Sequence, residues 1–270
     1  MRPAQAVSCD NAIVIKDSDS ITPPGRHRRP ALISRPSMAR LSRLYAPDTP
    51  QLVQVRFTRP LAPLNEATPA DKLDLLAGWL RDAARENRVP VHGWTLLNDR
   101  LALLATPPDK AGLARTIQAV GRRFATRIHK GRVFSERYRS ALLQPGAWVL
   151  PALIWLERLP VQLGYVDDAA RWPWSSAAQH TGLASAAARW TTEHADYWRQ
   201  GNTPFERQAH YRRLLEQGLA PAQARRVEEA LFGQWALGGE EFLARIGRDS
   251  TRRLLPAKRG RPPRQAAVDP

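Results

Sequence analysis

The order in which the hydrophobic period changes along residues 52–143 constrains this chain more than any other feature. Leu52-Val53-Gln54-Val55-Arg56-Phe57 reads as a strand. Asp71 to Asn87 then carries Leu73, Leu76, Leu80 and Ala84 along one helical stripe, with Thr68 as the expected cap and Pro69 in the first turn. Val91 to Leu97 and Arg100 to Thr106 read as two strands joined at Asn98-Asp99, a hairpin signal. A second helix over about 109–130 places Leu113, Ile117, Val120, Phe124 and Ile128 on one face. A strand around Arg137–Leu143 closes the series. The resulting order, β-α-β-β-α-β, predicts an α+β fold: a ferredoxin-like core with an antiparallel sheet.

Downstream, the apolar segment Trp148 to Leu159 predicts a helix packed on this sheet, with Pro151 tolerated only in its first turn. Stretches at about 204–218, 221–233 and 239–247 predict a C-terminal helical region. Residues 1–37 are rich in Pro, Ser, Asp and Arg and lack periodicity, which predicts a disordered extension. Met38, the only methionine besides Met1, offers an alternative start. Residues 251–270 predict a basic disordered tail. A lone cysteine, Cys9, cannot form an internal disulfide, no apolar run reaches the ~20 residues of a membrane span, and Asp10, Asp17 and Asp19 break up any signal-peptide layout. The expectation is a soluble, cytoplasmic protein with no membrane partner.

Charge narrows the function classes. The 270 residues hold 41 Lys+Arg against 25 Asp+Glu, a net charge of +16, and only five of the basic residues are lysines. From Lys110 to Arg139 there are nine basic residues against Glu136 alone, a local net of +8. Half the excess charge in about a ninth of the length is the footprint of a phosphate-binding surface. Candidate nucleic-acid contacts are therefore Arg115, Arg122, Arg123, Arg127, Lys130, Arg132, Arg137 and Arg139, with Tyr138 a stacking or packing residue among them. Phe124 and Phe134 are interleaved aromatics, Phe124 on the core stripe.

Several local motifs, in order, resemble the REP-associated tyrosine transposases of the HUH single-strand transposase superfamily. They are Met-Ala-Arg-Leu-Ser-Arg-Leu-Tyr (38–45), Arg137-Tyr138-Arg139-Ser140, Trp172-Pro173-Trp174-Ser175-Ser176, Trp235-Ala236-Leu237-Gly238 and Lys258-Arg259-Gly260-Arg261-Pro262. The resemblance spans roughly Met38 to Arg264 and implies a transposase-like ferredoxin-fold domain over 38–180, with the helical region over 181–250. It also implies DNA transposition chemistry: a His-x-His pair on a central strand holding a divalent metal such as Mg²⁺, and a helix tyrosine attacking the scissile phosphate of single-stranded or hairpin DNA.

The residues that such chemistry needs are absent here. The segment Trp94 to Leu104 puts Arg100 and Ala102 at the two histidine positions, and Leu153 to Pro160 puts Trp155 at the tyrosine position. A guanidinium and a methyl group donate no lone pair to a metal, and indole has no nucleophilic oxygen. The reading from sequence is a degenerate active site: no catalytic residue, no metal and no cofactor. Asp99, Tyr138 and His92 are the substitutes in view, and they read better as a turn aspartate, a stacking or packing aromatic and a satisfied structural histidine. Three functions stay open at this stage: a DNA-binding protein that has lost cleavage, an active transposase using non-standard residues or a partner subunit, and a frame without maintained function. The tail adds Arg259 and Arg261: Arg-Gly-Arg-Pro resembles an AT-hook core that lies extended in a narrow minor groove, and it reads equally as a generic basic arm that meets any phosphate.

Overall fold

The computed structural model describes residues 42–63, 66–128, 130–185 and 189–256. The predicted extension over 1–37, the tail beyond Pro256, and Arg259 and Arg261 with it, lie outside the described residues. The described residues fall in one compact unit.

The expected alternation is present. Strand β1 (Gln51–Arg56) leads to helix α1 (Ala70–Glu86), and β2 (Val91–Leu96) turns tightly into β3 (Arg100–Ala105). Helix α2 (Gly112–Arg127) and strand β4 (Arg139–Leu143) complete the core. The strand order β2-β3-β1-β4, antiparallel throughout, is that of a ferredoxin-like sheet. Every residue of β1 except Arg56 is buried, as a central strand covered on both faces requires.

Beyond the core come α3 (Val149–Glu157), α4 (Leu159–Gln162), a 3₁₀ turn (Ala169–Arg171), α5 (Ala177–His180), α6 (Ala195–Trp198), α7 (Pro204–Gln217), α8 (Pro221–Gly233), β5 (Ala236–Leu237) and α9 (Glu240–Gly247). Pro151 is the third residue of α3, where its missing N–H costs no helical bond. The predicted single helix over Trp148–Leu159 stops at Glu157, and α4 restarts with Pro160 in its first turn. Thr68 does not cap α1: the N-cap is Pro69, and no side chain bonds the first turn. Helix α7 has instead a full capping box, with Thr203 and Glu206 bonding each other's backbone N–H and Pro204 opening the helix. Strand β5 is too short for any periodicity to announce. It pairs in parallel with β4 and extends the sheet to five strands.

Strand alternation fixes the two faces. Thr95, Ala102, Gln54 and Arg139 are register partners in one row across β2, β3, β1 and β4. The Thr95 hydroxyl donates to Leu156 O at 3.0 Å, and Arg139 donates to Phe232 O at 3.0 Å, so α3 and α8 cover this face. Phe57 continues the opposite face of β1 and meets Phe124 of α2, ring centroids 5.4 Å apart. Helices α1 and α2 lie side by side, their stripes of Leu73, Leu76, Leu80, Leu113, Ile117 and Val120 almost fully buried. A smaller apolar cluster of Leu44, Leu142, Ala236, Phe242 and Ile246 seats α9 against the β4–β5 edge.

Candidate nucleic-acid interface

The three positions that resemble a cleavage centre are all committed to internal contacts. Arg100 opens β3 and grips its neighbour Asp99 with two hydrogen bonds, at 2.8 and 2.7 Å, leaving 14% of its side chain exposed. Ala102 is fully buried in the row beneath α3 and α8. Trp155 is 2% exposed on α3, and its indole N–H donates to Glu228 Oε1 of α8 at 3.1 Å. No three His, Cys, Asp or Glu side chains converge among the described residues. Gln54, register partner of Ala102, is buried there with its Oε1 unpartnered among the described residues.

The substitutes are equally engaged. Asp99 belongs to Arg100. His92 donates through Nδ1 to Thr192 O at 2.7 Å and faces the Thr106 hydroxyl through Nε2 at 2.8 Å. Burial holds His92 down at about 4, with the nearby His194 and His180 acting in the same direction, so it is neutral at pH 7 and Nε2 accepts from Thr106. Neither ring nitrogen has a lone pair to spare for a metal.

Around this row the motif Trp172–Ser176 works as an edge brace. The indole of Trp172 donates to Leu96 O at 2.9 Å, Trp174 donates to Asp74 on α1 at 2.8 Å, and Leu96 N–H donates to Trp174 O. Thr95 and Ser175 form a bridge, so the motif pairs along the free side of β2 and shields an edge strand. One residue further, Ser176 donates to Glu157 Oε1 at 2.5 Å. His180 Nδ1 lies 2.6 Å from the same oxygen, and Tyr211 of α7 donates to Oε2 at 2.7 Å. Glu157, His180 and Tyr211 are all completely buried. Desolvation, then the Glu157 carboxylate, pushes the Tyr211 phenol far above its ordinary range. Sequence reading passed over Glu157, although one acid ending an apolar helix is a cue that buried donors await it.

The basic segment divides into bound and unbound cations. Arg115 pairs with Asp109 at 2.6 Å, and Arg123 pairs with Glu86 at 2.6 Å while also donating to Trp79 O. Arg132 bonds the carbonyls of Phe134 and Ser135. Arg139 holds Glu136 as well as Phe232 O. Tyr138 is buried, with the Arg43 guanidinium 3.5 Å from its ring centroid, so one face of the ring is taken by that cation. Phe124 is core, and Phe134 stacks on Phe57 at 6.1 Å. Arg122, Arg127, Lys130 and Arg137 remain: each is exposed, and its side chain makes no hydrogen bond or ion pair among the described residues. Arg122 and Arg127 lie off the apolar stripe of α2, Lys130 and Arg137 on the loop toward β4.

No described helix is long and apolar enough to cross a membrane. No protein-family model matches the chain, and no curated protein matches it. Four solved chains do. One is a structure of the REP-associated tyrosine transposase bound to a REP hairpin, with 15% sequence identity and a TM-score of 0.46 over 58% of this chain and 93% of that one.

Proposed function

We propose that this protein binds single-stranded or hairpin DNA, in the manner of a transposase-like protein that no longer cleaves it. The observation that carries the reading is the group of four exposed, uncommitted cations, Arg122, Arg127, Lys130 and Arg137, inside the segment of net charge +8. Phosphate contacts need only such cations. The absence of cleavage is supported by what stands at the three positions on β3 and α3: an arginine locked to Asp99, a buried methyl group and an indole bonded to Glu228. None of these supplies a metal ligand or a nucleophilic oxygen.

Binding of a labelled hairpin with a single-stranded flank, measured across salt concentrations, tests the reading. Four phosphate contacts give a log–log slope of about −3 on a single strand, and Arg122→Ala or Arg127→Ala flattens it by roughly 0.7 each. A slope near zero refutes the interface. With Mg²⁺ or Mn²⁺ present, no covalent protein–DNA adduct is expected on a denaturing gel. A phosphotyrosine adduct makes the protein an active transposase with non-standard residues.

A further inference from the structure

A second group of basic residues lies at the end of α1, and the sequence reading did not single it out. The last turns of α1, the start of β2 and the segment Trp190–Thr192 border an open cleft of about 440 Å³. Small-molecule sites occupy roughly 300–1,000 Å³, so the volume suits a ligand of a few ring systems at most. Arg81, Arg85 and Arg88 line it together with Pro90 and the half-buried indole of Trp190.

The three guanidinium groups are available. Arg81 and Arg85 are 55% and 83% exposed, and their nearest carboxylate is Asp82, at 3.6 and 3.9 Å. These separations exceed hydrogen-bond length. The next acid, Glu86, is taken by Arg123 at 2.6 Å. The cleft therefore keeps a local excess of two positive charges, counting three arginines against Asp82. The aromatic wall is fixed from behind. Trp190 packs on Trp94 with ring centroids 5.6 Å apart, and Thr192 is tied to β2 through Val91 O and His92.

Arg88 supplies an independent clue. It follows the end of α1 with φ of +52°, the left-handed position where helices favour glycine. A side chain with a Cβ costs about 1 kcal/mol there relative to glycine. That strain is retained together with a guanidinium that lines the cleft. The larger cavity of about 500 Å³ has no such character. Its Arg158 and Arg212 bond helix-end carbonyls, and Asp167, Asp168 and Glu216 outnumber them.

We propose that this cleft binds one nucleotide, its phosphate held by Arg81, Arg85 and Arg88 and its base against Trp190. Cation plus aromatic wall is the combination that separates a nucleotide from a bare anion. The occupant is either a free nucleoside monophosphate or an unpaired nucleotide of a bound strand, and the free-nucleotide arm does not depend on the proposed DNA interface.

Calorimetry on the full chain uses thymidine and adenosine monophosphates, inorganic phosphate and a short oligothymidine as probes. The variants are Trp190→Ala, Arg88→Gly, Arg85→Ala and, as a control for the other surface, Arg122→Ala. Arg88→Gly relieves the left-handed strain, so it unfolds no earlier than the parent and isolates the loss of the guanidinium. Trp190→Ala is expected to weaken a nucleotide about 5- to 100-fold while leaving phosphate unchanged. If the monophosphates bind and respond to both variants, the cleft takes free nucleotides. If only the oligothymidine responds to Trp190→Ala and Arg88→Gly, the occupant is a nucleotide of a strand. If neither probe responds, or if phosphate binds as tightly as the nucleotides, the proposal is overturned, whatever Arg122→Ala does to strand binding.

Discussion

Replacing Glu157 tests the connection between the sheet-covering helix and the C-terminal region. Its carboxylate accepts from Ser176 at 2.5 Å, His180 at 2.6 Å and Tyr211 at 2.7 Å, with no solvent to take over any of the three. Glu157→Ala leaves the buried His180 and Tyr211 donors without an acceptor and Ser176 with only its longer bond to Trp94 O at 3.3 Å, and at ~1–3 kcal/mol per unsatisfied buried donor the cost is about 3–5 kcal/mol. At ~2–4 °C per kcal/mol for a unit of this size, the melting temperature falls by roughly 10 °C. Glu157→Gln keeps the shape and one acceptor oxygen, and Tyr211 can turn to accept from the new amide, so the expected loss is about 1–2 kcal/mol. A double-mutant cycle makes the test specific. Tyr211→Phe costs about 1.5–3 kcal/mol in the parent, as for a hydrogen bond to a charged group, and clearly less in the Glu157→Gln background. Urea unfolding followed by both fluorescence and circular dichroism supplies the energies and checks two-state behaviour. A loss below about 1 kcal/mol for Glu157→Ala, or equal costs of Tyr211→Phe in the two backgrounds, refutes the reasoning.

Two further outcomes follow from the packing. His92 titrates at about 4 in the folded chain against an ordinary 6.5, so the unfolded chain takes up its proton first as the pH falls. Its contribution is complete above pH 6.5, declines below that and is gone near pH 4, a total of ~3 kcal/mol. The urea midpoint of the parent should therefore drop more between pH 7 and pH 4.5 than that of His92→Gln, and identical drops would count against a neutral, buried His92. Gly93→Ala puts a methyl group 2.3 Å from Leu153 Cδ1 and 3.3 Å from Ser176 Oγ, where α3 and the Trp172–Ser176 brace both close on β2. With Leu153 itself 1% exposed and unable to swing into solvent, the expected cost is about 1–3 kcal/mol, and an unchanged melting temperature would show that α3 sits farther from the sheet.

What was legible in the sequence was whatever repeats. Strand and helix periods placed β1 to β4, α1 and α2, and the three later helices within a few residues, because burial on one face imposes a spacing that survives any choice of apolar residue. Single contacts left no such trace. Whether Thr68 or Pro69 caps α1 depends on one backbone angle, and whether 148–159 is one helix or two depends on the turn before Pro160. The basic segment was visible as charge, but the division of its cations into bound and exposed was not, since Asp109 and Glu86 reach Arg115 and Arg123 across 6 and 37 residues.

The same distinction explains why two features of the α3 face read so differently. Arg100, Ala102 and Trp155 attracted notice only through residues that are not there, and the structure gives each of them an ordinary interior role. Glu157 drew none, although it stands two residues from Trp155 in an otherwise apolar run. A charge in such a run is affordable only when buried donors meet it, and here they arrive from 19, 23 and 54 residues downstream. The network joins α3, the Trp172–Ser176 brace and α7 at one carboxylate. It therefore ties the helix that carries Trp155 to the brace and to α7 through protein groups alone, so one buried carboxylate fixes how the C-terminal helices meet this face of the sheet.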